Sequence, residues 1–337
     1  AGGRILAVQE VHGHGEPTNR IVSFSPDGAG EPIVLVEGRD FFSSPRPSPD
    51  GTSLAWLAWD HPNMPWMGTE LWVGSVTADG SLVDSRPIAG GSSESVFQPE
   101  WSPSGELHFV SDRTGWWNLY RWDGTSTHPL HPADEEFGAP QWQFGMRRYA
   151  FLDNDRIACI VDRKGRRDLG VLDAEGITWL ETGRQVYEDT IAAAGGRIWV
   201  VGGGPAEPTA VLAVDPDDGA AAVIRPGSET DVADYISRPR PITFPTGAGA
   251  EAHAYYYPPY HPEYAAPEGE LPPLIVRSHG GPTSVSTTAF DLAIQFWTSR
   301  GFAVVDVNYR GSTGFGRAYR EALEGEWGIV DTEDCIA

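Results

Sequence analysis

The segment SHGGPTS, residues 278–284, combines residue types that can bind an anion. It follows the apolar run 274–276, so the chain leaves a predicted strand through His279 and the glycines Gly280 and Gly281. Glycine has no β-carbon to hold the backbone away from a bound atom. Backbone N–H groups of such a turn can therefore approach and stabilise a negatively charged oxygen, which predicts an oxyanion hole at the end of a sheet.

Turns of this kind have a defined place in α/β hydrolases. The turn after the third strand supplies one oxyanion N–H, and the residue after the nucleophile supplies the other. Losing one such donor typically costs roughly 3 to 4 kcal/mol of transition-state stabilisation. The alternative is a Gly-Gly pair that only reverses the chain before Pro282. The segment lies after a buried strand and before a helix and another strand, and this position favours the oxyanion role.

The nucleophile that should accompany this turn is absent from the sequence. A hydrolase of this class carries it in G-x-S-x-G on a strand-to-helix elbow, and no such motif occurs in the 337 residues. Ser312 in YRGSTGFG comes nearest, but Arg310 stands where the first glycine should be, and the segment follows the wrong strand. No His or Asp follows the expected elbow. We therefore expect the serine, aspartate and histidine of a triad to lie outside this chain.

Other kinds of catalytic site have weaker support. The close pairs among the nine histidines lack a convincing third ligand, so no metal is expected. No G-x-x-x-x-G-K-[ST] loop occurs, and the glycines of GSTGFG at 311–316 are wrongly spaced for a dinucleotide. We expect no cofactor. Cys159 and Cys335 are far apart and are predicted to be free thiols in a reducing compartment.

The charge excludes several kinds of partner. The formal net charge is -23 and the isoelectric point about 4.6, so the surface should repel nucleic acid and anionic membranes. No apolar stretch approaches the roughly 18 residues needed to cross a bilayer. The first ten residues also lack the layout of a signal peptide. These features, with the two thiols, predict a cytoplasmic protein.

Two kinds of element must position the turn. From residue 1 to 236, strand-length apolar runs alternate with turns such as SPDG and SPSG. A longer repeat of aromatic residue, proline, turn and strand is anchored at Phe42, Phe97 and Phe137, which are 55 and 40 residues apart. A period of about 40 to 50 residues is typical of propeller blades, and we count about five. A β-sandwich or barrel is the alternative. The aromatic residues of 114–122 are interpreted as core, with a binding platform as the alternative.

From residue 237 to 337 the pattern changes. Two strands, at 242–244 and 252–257, precede an alternation of strand and helix that is typical of a parallel sheet covered by helices. Asp331 is predicted to cap a last helix. The strand 302–309 is expected to leave an unpaired edge where a nucleophile strand would pair.

Several long segments closely resemble the prolyl oligopeptidase family of serine peptidases. They are LAWDHPNMPWMGTELW, FQPEWSPSGELHFVSDRTGWWNLYRWDG, PEGELPPLIVRSHGGPTS and FWTSRGFAVVDVNYRGSTGFGRAYREALEGEWGIVDTEDC. The resemblance is greatest to the acylaminoacyl-peptidase and dipeptidyl-aminopeptidase-like branch, which is mostly bacterial. It covers essentially the whole chain, and the last segment is the most specific.

The resemblance implies a seven-bladed propeller joined to an α/β-hydrolase domain that cleaves short peptides, with the propeller excluding folded proteins. It places the backbone N–H of Gly281 in the oxyanion hole, with His279 and Gly280 shaping the turn. It makes Arg310 a structural ion-pair former, with a substrate contact as the alternative. Five blades instead of seven, and the missing triad, indicate an internal fragment that is inactive alone. Such a fragment is expected to form a homo-oligomer or to pair with a chain carrying the rest of the hydrolase domain. A non-catalytic propeller scaffold and an esterase on the same fold are the alternatives.

Overall fold

The computed structural model describes residues 3–153, 155–163, 165–228, 231–281 and 283–337. These residues form two compact units. The first comprises the described residues up to Ala133, with 137–147, 153 and 155; the second comprises 134–136, 148–152 and the described residues from Arg156 to Ala337. The boundary that the sequence predicts between residues 236 and 237 does not coincide with the division into these two units, and it stays a prediction.

The first unit contains three antiparallel sheets whose strands follow one another along the chain. The first sheet consists of β1 (Ile5–Val11), β2 (Thr18–Phe24) and β3 (Ile33–Val36). The second consists of β4 (Phe41–Pro47), β5 (Ser53–Trp59), β6 (Thr69–Val76) and β7 (Leu82–Gly91). The third consists of β8 (Val96–Trp101), β9 (Leu107–Ser111), β10 (Asn118–Trp122) and β11 (Thr127–Pro129).

The second unit begins with two more sheets of the same design. One consists of β12 (Tyr149–Phe151), β13 (Ile157–Arg163), β14 (Arg166–Asp173) and β15 (Gly176–Trp179). The other consists of β16 (Val186–Ala194), β17 (Arg197–Gly204), β18 (Glu207–Val214) and β19 (Ala221–Arg225). The five successive meanders agree with the number of blades predicted from the repeat.

The sequence repeat anchored at three phenylalanines corresponds to a repeated strand at two of them. Phe42 in β4 and Phe97 in β8 are both 2% exposed, and a shift in strand register follows each of them. Phe137 is also buried, but it lies outside the strands, and its N–H donates to the carbonyl of Trp117. The similarity of sequence at the third copy therefore reflects burial of an aromatic ring and not a repeated strand.

The aromatic residues at 114–122 belong to the core, as the sequence suggested. Trp117 and Tyr120 are 1% and 3% exposed, and Tyr120 packs with Leu57 and Leu71 of the second sheet. Burial of large aromatic side chains between sheets of the first unit explains this run without a ligand.

Charged side chains are buried between strands of the second unit. Asp162 accepts from the Nη2 of Arg148 at 2.9 Å and from the Nε of Arg167 at 2.6 Å, and Arg148 Nε lies 2.5 Å from Asp189. Burial alone would raise the pKa of Asp162, but the two arginines outweigh it and lower the pKa to about 2. The ionised form of Asp162 therefore stabilises the folded state.

We expect Asp162→Asn to lower the free energy of unfolding by about 3 to 5 kcal/mol, because it leaves two buried guanidinium groups without their shared carboxylate. The folded-state pKa is below the model-peptide value of 3.8. The wild-type carboxylate therefore contributes stability above pH 4, which is lost as the pH falls towards 2. Urea unfolding at several pH values should show this loss in the wild type and a flatter profile in the variant.

The matched control is Asp217→Asn, which removes an ion pair between Arg156 and a carboxylate that is 76% exposed. We expect it to cost less than about 1 kcal/mol. Equal costs for the two variants would contradict a structural role for the buried network.

The second unit ends in a mixed sheet with helices. Its strands are β20 (Arg240–Pro245), β21 (Glu251–Tyr257), β22 (Leu274–Ser278) and β23 (Ala303–Asn308), in the spatial order β20-β21-β23-β22. Its helices are α1 (Leu292–Thr298), α2 (Arg317–Glu321) and α3 (Val330–Ile336), and 3₁₀ turns occur at Ala233–Tyr235 and Gly247–Gly249. In the described part of the chain, no helix is long and apolar enough to cross a membrane.

Two predictions about this region were wrong. The unpaired edge belongs to β22, where Leu274 and Val276 are 54% and 47% exposed, because the crossover through α1 places β23 between β21 and β22. Asp331 does not cap α3: Ile329 occupies the cap position, and Asp331 lies within the first turn. A carboxylate there still interacts favourably with the positive end of the helix.

Candidate oxyanion site

The sheet brings together two loops that follow the carboxyl ends of β22 and β23. β22 and β23 are parallel, and Ser278 at the end of β22 pairs with Val307 near the end of β23. The His279 turn and the loop 309–316 therefore both start from the carboxyl ends of neighbouring strands. Ligands of open α/β sheets characteristically bind at this edge.

The turn has a backbone N–H without an acceptor in the part of the chain that the structure describes. Gly280 and Gly281 are exposed, and no acceptor for the Gly281 N–H is found among the described residues. Gly281 has a φ of +146°, and a β-carbon there would lie 3.0 Å from the nitrogen of Thr283. Only glycine fits this backbone without strain. Pro282, the turn residue, lies outside the described residues.

His279 joins the turn to the second loop. Its Nε2 lies 2.7 Å from the Oγ of Ser312, and its Nδ1 lies 2.9 Å from the carbonyl oxygen of Gly280. The imidazole stacks on the Tyr309 ring at 4.5 Å, and the Tyr309 hydroxyl donates to the His279 carbonyl at 3.2 Å. One side chain thus fixes the start of the turn from three directions.

Burial lowers the pKa of His279, so the ring is neutral at pH 7. The single hydroxyl proton of Ser312 is donated to the carbonyl of Tyr309 at 2.7 Å, so the Ser312 oxygen accepts from the Nε2–H of His279.

This contact differs from the Ser–His pair of a hydrolase in two ways. Ser312 is 0% exposed, so a substrate carbonyl has no access to its oxygen. The Nδ1 of His279 faces a backbone carbonyl, whereas the base of a triad is oriented by a carboxylate. Ser312 is a structural residue, which agrees with its rejection as the nucleophile.

Further hydrogen bonds join the two loops. The N–H of Thr313 donates to the carbonyl of Ser284 at 2.9 Å, and the N–H of Ser286 donates to the Oδ1 of Asn308 at 2.7 Å. The Ser286 hydroxyl donates to Asp306 at 2.6 Å, and burial raises the pKa of that carboxyl group. Sequence reasoning missed these residues, although polar side chains at the end of an apolar strand were a usable signal.

The second loop is also fixed at both ends. Arg310 donates from Nε and Nη2 to Asp334 at 2.8 to 3.1 Å, which confirms its predicted role in an ion pair. At the other end, the Gly316 N–H donates to the Oε1 of Glu136 at 3.0 Å. The loop that supports His279 is therefore held rigidly.

Neither a metal site nor a disulfide appears in the described part of the chain. No three His, Cys, Asp or Glu side chains converge there as ligands. Cys159 and Cys335 are free, as predicted, and burial raises the pKa of both thiols.

Comparison with known proteins gives consistent matches. The profile of the Prolyl oligopeptidase family matches residues 288–337. A puromycin-hydrolyzing peptidase of Mycobacterium tuberculosis superposes with a TM-score of 0.90 at 44% identity, over 95% of this chain and 51% of that one. The acylamino-acid-releasing enzyme of Arabidopsis thaliana is 40% identical over 68 residues, which are 20% of this chain and 9% of the relative. Dipeptidyl aminopeptidase BIII of Pseudoxanthomonas mexicana is 44% identical over 64 residues, which are 19% of this chain and 9% of that relative.

The chain belongs to the prolyl oligopeptidase family. The superposition also confirms the predicted fold class, a partial propeller followed by the first part of an α/β-hydrolase domain. The chain spans about half the length of the solved relative. The family profile covers the second loop but not the His279 turn, so the roles of His279, Gly280 and Gly281 at an oxyanion stay predictions.

We expect Ser312→Ala to lower the free energy of unfolding by about 1 to 3 kcal/mol, because the Nε2 of His279 and the carbonyl of Tyr309 both lose their bond to the buried Ser312 hydroxyl. Urea unfolding measures this cost. Ser25→Ala, which removes a hydroxyl bonded to Asp27 at the surface, is the control and should cost less than about 0.5 kcal/mol. Similar values for the two variants would argue against His279 as the support of the turn.

A second test compares Gly311 and Gly314 in the loop 309–316. It measures how tightly Leu323 packs against that loop. Their φ values are +118° and +93°, so alanine is strained at both. A β-carbon at Gly311 would lie 2.7 Å from the Cβ of Leu323, whereas at Gly314 its nearest neighbour is at 3.9 Å. We expect Gly311→Ala to cost about 1 to 3 kcal/mol more than Gly314→Ala in urea unfolding. A difference near zero would show that Leu323 moves freely.

Proposed function

We propose that this chain forms the propeller and one half of the oxyanion hole of a serine hydrolase that cleaves short peptides by acyl transfer. The observation that carries the proposal is the exposed N–H of Gly281, which has no acceptor among the described residues and is held at the carboxyl end of β22 by the contact between His279 and Ser312. Membership of the prolyl oligopeptidase family supports it.

The chemistry assigned to these residues is electrostatic. When a serine attacks a peptide carbonyl, the oxygen gains negative charge, and a fixed N–H is stabilising without having to reorient. The proposed roles are donation by Gly281 and positioning by His279 and Gly280. The nucleophile, acid and base come from residues that are not among these 337, since the sequence contains no G-x-S-x-G.

The exposed edge of β22 is where those residues would join. Its backbone is unpaired on one side among the described strands, and Leu274 and Val276 are exposed there. An unpaired strand with apolar side chains favours addition of another strand. The edge supports a complementary polypeptide carrying the rest of the hydrolase domain.

The names of the relatives narrow the proposed substrates. One is a puromycin-hydrolyzing peptidase and others release acylamino acids or dipeptides. Each such activity breaks an amide beside one or two amino acids, so we propose small amino-acid amides and short peptides as substrates.

The test joins this chain to the C-terminal part of the M. tuberculosis peptidase that it does not match. The chimera should hydrolyse aminoacyl p-nitroanilides, and the 337-residue chain alone should not. A folded chimera without activity would favour a non-catalytic scaffold, and cleavage of p-nitrophenyl esters alone would favour an esterase.

Within the active chimera, Gly281→Ala should lower kcat by about 100-fold, because the β-carbon contacts Thr283 and displaces the N–H. Gly13→Ala is the control, since Gly13 has no role in the turn and its β-carbon would meet nothing within 4 Å. The control should stay within about threefold of the wild type. Equal losses in the two variants would contradict Gly281 as the donor.

A further inference from the structure

Two adjoining clefts lie near the amino ends of β22 and β23, whereas the His279 turn follows the carboxyl end of β22. Their volumes are about 880 and 630 Å³, and they share His261, Ser299 and Arg300. The larger is also lined by Pro272 and Gly301, which precede β22 and β23. The five residues of β22 separate the amino and carboxyl ends of this strand by about 16 Å. The clefts, here called the Arg300 clefts, are therefore distinct from the oxyanion site.

The Arg300 clefts have an unusual charge for this protein. The sequence has 47 acidic and 24 basic residues, yet no Asp or Glu is among the described residues lining either cleft. Their linings combine aromatic, aliphatic, prolyl and small polar side chains with one glutamine, one arginine and one histidine. An acid-free surface on a strongly acidic chain favours an anionic ligand.

Arg300 is fixed in place and retains free donors. Its guanidinium stacks on the Phe296 ring at 3.8 Å, and its Nη1 donates to the Phe296 carbonyl and the Ser299 hydroxyl. Among the described residues no carboxylate lies within 4 Å of it, and Nε and Nη2 have no acceptor. A preorganised guanidinium with two unused N–H directions suits a carboxylate.

His261 provides a second donor and part of an aromatic wall. Its Nδ1 accepts the N–H of Glu263 at 3.1 Å, so the proton of the neutral ring is on Nε2. The ring lies between Tyr235 and Tyr264, at 5.1 and 4.7 Å. Tyr264 is 74% exposed, which leaves a face of this wall open to a ligand.

We propose that the Arg300 clefts bind a small carboxylate that carries an aromatic ring, of the kind found in an N-acylated aromatic amino acid. Arg300 and the Nε2–H of His261 bind the carboxylate, and the tyrosine rings stack with the ring of the ligand. The site goes beyond the proposed hydrolysis, since no step of acyl transfer involves these residues.

The experiment measures binding of N-acetylphenylalanine and of N-acetylphenylalanine amide to the purified protein by calorimetry. The two probes have the same ring and differ in charge. We expect the acid to bind at least about tenfold more tightly than the amide, and this preference to fall as salt rises from 0.05 to 0.5 M. The salt series uses the wild type only, so it does not depend on the folding of a variant.

Arg300→Gln should remove the preference for the acid. Arg225→Gln, at an exposed arginine of β19 outside the clefts, is the matched control and should leave it unchanged within about twofold. Tyr264→Ala should weaken acid and amide alike. The proposal is overturned if the wild type binds acid and amide equally, if neither binds at millimolar concentration, or if both arginine variants act alike. Each of these outcomes leaves the proposed hydrolysis unaffected.

Discussion

The contact between His279 and Ser312 determines how the ends of β22 and β23 are arranged. A glycine turn has no side chain of its own with which to hold a backbone N–H in one direction. Here the direction is set by a half-buried imidazole bonded to the neighbouring loop and stacked on Tyr309. Because partial burial lowers the pKa of the ring, this support does not depend on a screened charge at neutral pH.

The parallel pairing of β22 with β23 is what makes such a contact possible. Parallel strands end at the same edge, so a residue after one can reach a residue after the other. Here His279 and Ser312 are 33 residues apart in sequence. They meet because the chain crosses over through α1 and then forms β23 parallel to β22. The same crossover places the Arg300 clefts at the amino ends of the two strands.

The sequence revealed the local features well. Turn residues, apolar runs and the period of 40 to 50 residues were sufficient to predict five meanders. The glycines of the turn were found because their chemistry depends on backbone, which a short motif reveals directly. The strand order was not predictable in the same way: the apolar run 302–309 reads equally well as an edge or an interior strand, since pairing on both sides depends on residues far along the chain.

The supporting residues of the site were harder to predict for a related reason. Ser286, Asn308 and Asp306 act as partners of one another across two loops, and no spacing within a single segment reveals such a pair. The third copy of the repeat was misread because a buried aromatic ring gives the same signal in a strand and outside one. Burial, in short, was easier to recognise than backbone conformation.

The hydrogen bond from Gly316 to Glu136 joins residues that are 180 positions apart. During synthesis Glu136 leaves the ribosome first, and the next 180 residues are translated before Gly316 can reach it. At about 5 to 20 residues per second this takes on the order of 10 to 40 seconds. The hydrogen bond that fixes the loop beneath His279 can form only after that interval, so this support is completed late in synthesis.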